Sequence, residues 1–149
     1  MNLFLDQQRK FRPGKLSWYP GAKKAESAMY SLYWEQFNPR ADSVIYNCPL
    51  AYRFDLSTDI KLNIRRNWIF LNALRTDWIL INNNNVTLIE FSRFFEIDVI
   101  YQTLTYKDLL SSYLTNDYNI TTIIAVYEIS LKAIQLANKY DILIQIIDV

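Results

Sequence analysis

Two acidic residues, Asp77 and Glu90, are the side chains of this sequence best placed to act together. Each adjoins an apolar run, and the four asparagines at positions 82–85 between the runs favour a tight turn. The pattern predicts a hairpin, folded about residues 83 and 84, that brings both acids to neighbouring positions of an antiparallel ladder. Two carboxylates at one sheet edge offer the oxygen ligands that Mg²⁺ prefers. Solvation of two strand ends would give the same pattern, so both interpretations are open.

The composition excludes several other chemistries. The 149 residues include no histidine and a single cysteine, Cys48, which excludes Ser-His-Asp, Cys-His and histidine-metal sites as well as an intramolecular disulfide. With 16 basic and 15 acidic residues the charge is nearly balanced, so a surface that binds a polyanion has to be local. The absence of a long apolar run or of a signal-like N-terminus predicts a protein that is neither inserted in a membrane nor secreted.

The order of these residues resembles the PD-(D/E)XK nuclease fold. That family carries Asp, a turn of variable length, and then Asp/Glu-x-Lys, which Asp77 and Glu90-Phe91-Ser92 match except at the lysine. Gln102 and Tyr106 are similar to a Gln-x-x-x-Tyr pattern on the helix that follows the motif strand in many members. The resemblance covers residues 22 to 148 and is nearest to small members encoded by phages and viruses.

The resemblance implies roles for individual residues. Mg²⁺ would be bound by Asp77, Glu90 and the backbone carbonyl of Phe91. Four side chains would complete the catalytic site, with Glu26 approaching the metal from the first helix: Glu26, Ser92, Gln102 and Tyr106. Without the resemblance, Glu26 is a helix-start acid that complements the helix dipole, and Gln102 and Tyr106 are ordinary interface polar residues four positions apart on one helix face.

Ser92 is the departure from the motif. It stands at the lysine position, and losing one such preorganised donor typically costs ~10²–10³ in rate. Arg93 is predicted on the opposite face of the strand by the period of two, unless a bulge or the strand end re-aims it. Lys107, on the following helix, is the first candidate for a relocated cation.

Two functions from different classes therefore stay open. The first is a nuclease-fold protein of virus or phage origin with impaired catalysis, which acts as a DNA-binding or structural virion component. The second is an active Mg²⁺-dependent DNA nuclease with a relocated cation. Either would reside in a virion or in the host cytoplasm, and a homo-oligomer is compatible with both.

Residues 1–21 are predicted to form an extended arm beside a single nuclease-like domain at residues 22–149. Between residues 7 and 21 the chain has two Pro-Gly breaks and no acid, and it interleaves cations with large rings. This composition suits either phosphates and bases of DNA or a neighbouring subunit. The predicted contact residues of this arm are Arg9, Lys10, Arg12, Lys15, Trp18 and Tyr19.

The periodicity predicts the remaining elements. In chain order these are a helix from residue 22 to Asn38, a strand at Ser43–Asn47, the hairpin, a helix from Ile97 to Tyr113, a strand at Ile120–Val126, a helix from Ser130 to Tyr140 and a strand at Ile142–Ile147. The last helix is predicted to face inward with Leu131, Ile134 and Ala137, and Leu136 is a further candidate for that face. The order corresponds to an α/β fold with a mixed sheet and the αβββαβ plan of the restriction-endonuclease-like core.

One segment is less decided. Ile60, Leu62 and Ile64 alternate with polar residues, which predicts a strand, and Arg65-Arg66 follows it. The two arginines are candidates for contacts with phosphates along a groove. A solvated sheet face would produce the same alternation.

Overall fold

The computed structural model describes residues 2–52 and 73–149. Its elements, in chain order, are α1 (Leu3–Asp6), α2 (Lys24–Phe37), β1 (Ser43–Tyr52), β2 (Ala73–Asn82), β3 (Asn85–Phe94), α3 (Ile97–Tyr113), β4 (Asn119–Glu128), α4 (Leu131–Lys139) and β5 (Ile142–Ile146). From α2 to β4 this is the predicted αβββαβ plan, which is confirmed. The strand predicted at residues 60–64 and the arginines Arg65 and Arg66 lie outside the described residues.

The five strands form one mixed sheet in the order β1-β2-β3-β4-β5. The first three pair in antiparallel fashion, whereas β3, β4 and β5 are parallel and are joined through α3 and α4. Asn83 adopts a left-handed φ of 55° in the hairpin turn, a conformation that asparagine tolerates better than most residues. The apolar run of β4 forms a central strand, as predicted.

The helices cover both faces of the sheet because the strands alternate their side chains. Helix α2 buries Met29 and Tyr33 against one face, in a cluster with Trp78. On the other face, α3 buries Tyr106 against the alternate residues of β2 and β3, and α4 packs Ala137 beside β4 and β5. The hairpin that carries the two acids is thus enclosed between helices on opposite sides.

Trp78 is the centre of the cluster under α2. Its fully buried ring meets five other aromatic rings at centroid distances between 4.8 and 5.5 Å. These are Tyr30, Tyr33, Trp34, Tyr46 and Phe91. Aromatic pairs at such distances stabilise the fold beyond their buried area. Because Trp78 directly follows Asp77, this packing also fixes the backbone at the first acid.

The N-terminal segment packs on the domain. Phe11 forms an antiparallel bridge with Val44 of β1, with N–H to O distances of 2.8 and 2.9 Å. Tyr19 is 1% exposed and belongs to the Trp78 cluster, and its hydroxyl accepts a hydrogen bond from the Leu16 N–H. The prediction that Tyr19 contacts a partner is therefore wrong, because the ring completes the protein's own core. Trp18, by contrast, is 61% exposed.

Several cations of this segment have contacts within the protein. Lys15 forms an ion pair with Glu35, the Arg9 guanidinium lies 4.7 Å from the centre of the Phe11 ring, and the Lys10 ammonium donates to the Leu5 carbonyl at 2.6 Å. Arg12 is exposed. Contacts of these four cations and Trp18 with a partner stay a prediction. In the part of the chain that the structure describes, no helix has the length and apolarity needed to cross a membrane.

The two adjacent rings of the segment allow a matched test of its packing. Tyr19→Ala is expected to lower the free energy of unfolding by about 3–5 kcal/mol, the range for removing a buried large ring. Trp18→Ala is expected to change it by less than about 1 kcal/mol, because the exposed ring loses little packing. Urea unfolding of both variants beside the wild type measures the difference. Equal effects of the two substitutions would contradict the burial of Tyr19.

Candidate functional site

The site lies where the β2–β3 ladder ends. Pairing runs from Asn82 opposite Asn85 to Trp78 opposite Ile89 and then stops. At the next position the Asp77 carboxylate accepts the backbone N–H of Phe91 at 2.9 Å. A side-chain oxygen thus takes the place of a carbonyl that would continue the ladder, and regular pairing ends between the two acids.

The hairpin brings the two carboxyl groups together, as its predicted register requires. They line the same pocket, and each acts on the pKa of the other. Glu90 is 3% exposed, and the Thr76 hydroxyl donates to its Oε1 at 2.9 Å. Two carboxylates in one desolvated site repel each other, which favours a proton shared between them.

Burial raises the pKa values of both acids. It is the largest cause that raises the pKa of Glu90 well above its ordinary value, and the negative charge of Asp77 raises it further. Burial also raises the pKa of Asp77, while the hydrogen bond from the Phe91 N–H lowers it. The two acids therefore hold one proton between them at pH values where an exposed carboxyl group is ionised.

Helix α2 contributes two residues on the other side of Asp77. Glu26 lines the same pocket and its charge acts on Asp77. The buried Tyr30 lines the same pocket as Asp77, and burial first, then the charges of Asp77 and Glu26, raise the pKa of its hydroxyl. The sequence interpretation missed Tyr30, because its helical spacing marks a core residue and nothing local marks its hydroxyl as functional.

A pocket of about 460 Å³ opens in front of the acid pair, between α2 and α3. Gln102 of α3 lines it and donates from Nε2 to the Tyr106 hydroxyl at 3.1 Å. Tyr106 is buried, and burial and the charge of Glu90 raise the pKa of its hydroxyl. The two residues four apart on α3 therefore meet at the acid pair. The described lining residues are Ala25, Glu26, Met29, Tyr30, Asp77, Glu90, Phe91, Ser92, Arg93, Val99 and Gln102.

The only cationic residue in that lining is Arg93. The period of two predicts this side chain on the opposite face, but β3 ends at Phe94 and Arg93 lines the pocket from the strand end. Ser92 also lines it, with a hydroxyl that donates to the Phe94 carbonyl at 2.5 Å. Lys107 is not among the described residues that line the pocket. Arg93 is thus better placed than Lys107 to supply a positive charge.

The donor set suits a hard divalent cation with few protein ligands. Residues 2–52 and 73–149 contain no group of three or more acidic, histidine or cysteine residues arranged to hold a metal ion. Asp77 and Glu90 offer two carboxylates, and Mg²⁺ commonly takes one or two of these together with water and substrate phosphate. A cation bound between them would replace the shared proton and would balance the negative charge of both carboxylates.

Comparisons with known proteins bear on the fold alone. The sequence matches no protein-family model and no curated protein. The structure is similar to the crystal structure of a repair endonuclease from Pyrococcus abyssi, with a TM-score of 0.51 and 13% sequence identity over 87% of this chain and 50% of that one. The chain thus spans about half the length of the solved structure. This similarity supports a nuclease-like fold with a restriction-endonuclease-like core.

The protonated pair predicts how stability depends on pH. The pKa of Glu90 in the folded protein exceeds the ordinary value of 4.5, so the folded state binds more protons than the unfolded chain at pH values between the two. The free energy of unfolding is therefore expected to fall as pH rises above about 4.5 in metal-free buffer. Glu90→Gln should remove most of this fall, because the amide is neutral at every pH and leaves Asp77 without a second charge beside it.

Urea unfolding at several pH values, with EDTA present, measures this dependence. Glu96→Gln, a change at an exposed glutamate, is the matched control and should keep the wild-type dependence. A free energy of unfolding that rises with pH in the wild type, or a Glu90→Gln variant that follows the wild type, would contradict the shared proton.

Proposed function

We propose that this protein binds DNA through its nuclease-like fold, holds a divalent cation between Asp77 and Glu90, and cuts DNA weakly or not at all. One observation carries the proposal: Asp77 and the buried Glu90 face a pocket whose described lining contains no lysine. The pair supplies a site for a cation and a phosphate. Ser92 stands where the resembled motif places an ammonium group, two positions after the second acid.

Each residue has a defined part in the proposed site. Asp77, Glu90 and the Phe91 carbonyl would hold Mg²⁺, which when bound would polarise a phosphate and lower the pKa of an attacking water. Gln102, oriented by its hydrogen bond to Tyr106, would hold that water or a phosphate oxygen. The Thr76 hydroxyl holds the Glu90 carboxyl group and the Phe91 N–H holds that of Asp77.

The lack of a positive charge at position 92 separates the proposed protein from an active nuclease. Its hydroxyl already donates to the Phe94 carbonyl and carries no positive charge, so it gives little stabilisation to an attacking hydroxide. A missing preorganised donor of this kind typically lowers the rate by ~10²–10³. The protein would then act mainly by binding.

A second candidate function has its own observation. Arg93 lines the pocket, and a guanidinium stays charged at any physiological pH and binds phosphate oxygens through two parallel hydrogen bonds. With Arg93 as the relocated cation, the protein would be an active Mg²⁺-dependent DNA nuclease. Arg93 is exposed, so its charge is less effective than that of a buried lysine.

The origin, biological role and location of the protein are predicted from the sequence alone. Phage or virus origin, a structural role in a virion with a neighbouring subunit as partner, and residence in a virion or host cytoplasm stay predictions. The basic residues Arg9, Lys10 and Arg12 and the exposed ring of Trp18 are the proposed contacts with DNA outside the pocket. A DNA partner would make binding weaken steeply with salt.

Cation binding is testable without any cleavage assay. At neutral pH, Mn²⁺ or Mg²⁺ should raise the free energy of unfolding of the wild type, by about 2.7 kcal/mol when the cation is 100-fold above its dissociation constant. Asp77→Asn should abolish the increase, because it removes a charged ligand. Asp117→Asn, at an exposed turn, should leave it intact. An increase that persists in Asp77→Asn would contradict the proposed cation site.

Cleavage separates the two candidates. Wild type, Ser92→Lys and Arg93→Ala are compared on circular and linear DNA with Mg²⁺ or Mn²⁺. We expect little cutting by the wild type and an increase of about 10²–10³ in Ser92→Lys, because the new ammonium stands next to the acid pair. Asp77→Ala and Glu90→Ala in the Ser92→Lys background should abolish that cutting. Efficient cutting by the wild type that Arg93→Ala abolishes would instead establish the second candidate.

A further inference from the structure

The two edges of the sheet differ. At one edge, Phe11 pairs with Val44 of β1 through two backbone hydrogen bonds, so the N-terminal segment occupies part of the outer side of that strand. At the other edge, β5 has one strand neighbour, β4, among the described residues. The outer side of β5 is therefore a free strand edge in the part of the chain that the structure describes.

The backbone of β5 presents a regular row of groups at this edge. The Ile147 N–H donates to the Val126 carbonyl at 2.7 Å, so the odd-numbered residues of this stretch direct their backbone groups towards β4. By the period of two, Ile142, Ile144 and Ile146 direct theirs outward. The strand sequence, Ile-Leu-Ile-Gln-Ile, contains no charge and no proline, the devices that usually protect a strand edge from pairing.

Exposed aliphatic side chains surround the same edge. Leu143 is 55% exposed, Ile146 45% and Ile134 of α4 38%. They border a shallow pocket of about 230 Å³ whose described lining contains no charged residue. A polyanion finds no cation there, whereas another apolar strand finds both hydrogen-bonding groups and apolar contact.

We propose that β5 is the interface for a second copy of this chain, which pairs antiparallel with it and extends the sheet across a two-fold axis. A register centred on Ile144 places each Ile142 opposite the partner's Ile146 and joins outward-facing backbone groups on both strands. The strand is thereby complementary to itself, and no residue within it brings like charges together. Asp141 and Asp148 lie beyond its ends, where water remains.

The area available agrees with a weak dimer that forms at high protein concentration. Each exposed leucine or isoleucine can bury on the order of 100 Å², so the three side chains of both protomers bury about 600 Å² and the strand backbone adds to this, which is in the range of weak interfaces. The axis is perpendicular to the sheet, so the two acid-pair pockets would lie towards opposite ends of the combined sheet. The dimer is independent of the proposed function of those pockets.

Sedimentation of the full chain over a wide range of concentrations tests the interface. The wild type should form dimers, and Leu143→Lys should raise the dimer dissociation constant by about tenfold or more, because an ammonium would be desolvated without a partner. Leu3→Lys, at a leucine that is 73% exposed on α1, is the matched control and should dimerise like the wild type. A wild type that is monomeric throughout, or a dimer that Leu143→Lys does not weaken, overturns the proposal.

A cross-link tests the register separately from folding defects. In Ile144→Cys the new thiol would face its own copy across the axis, where the Cα separation of about 5.5 Å in a hydrogen-bonded pair suits a disulfide. Mild oxidation should give a covalent dimer of this variant and none of Leu3→Cys, since the native Cys48 is buried. Equal cross-linking of both variants, or none in Ile144→Cys, overturns the register centred on Ile144.

Discussion

The placing of two carboxyl groups, Asp77 and the buried Glu90, at one point of the sheet is the constraint on which the site depends. They meet where the β2–β3 pairing stops, and the Asp77 carboxylate takes the Phe91 N–H there. Two negative charges in one desolvated place repel strongly, which favours a shared proton. The same repulsion is what the proposed divalent cation would relieve.

The rest of the fold holds this pair in place. Trp78 directly follows Asp77 and packs against five rings from α2, β1 and β3, so the backbone at the acid cannot shift without disturbing the largest aromatic cluster of the described core. Tyr30 belongs to that cluster and also lines the pocket beside Asp77. Stability and the geometry of the site are thereby coupled, because a change that loosens α2 also alters the surroundings of the acid pair.

Periodicity and turn chemistry were enough to predict the fold. The asparagine turn, the helix from Ile97 to Tyr113 and the apolar run of β4 are local signals, and tertiary packing agrees with them. Which side chains are buried was less predictable. On α4, Ala133 and Ala137 are buried and Leu136 packs beside Ala137, as their common helix face requires. Leu131 is 71% exposed and Ile134 38%, contrary to prediction, because both lie off that face. The burial of Tyr19 was also not predictable, because it depends on packing against residues distant in the chain and no local pattern marks this ring as a core residue.

The candidate site was predictable to the extent that it rests on the hairpin. The pairing of Asp77 with Glu90 follows from register, and that of Gln102 with Tyr106 from helical spacing. Arg93 and Tyr30 were not predictable, since the first depends on where β3 ends and the second on how α2 packs against β2.

The most direct test of the proton shared by Asp77 and Glu90 is site-specific ¹³C NMR of the Glu90 carboxyl group, titrated with pH in the presence and absence of Mg²⁺. The account predicts a titration midpoint well above 4.5 that Mg²⁺ lowers; a midpoint near 4.5 that Mg²⁺ leaves unchanged would contradict it.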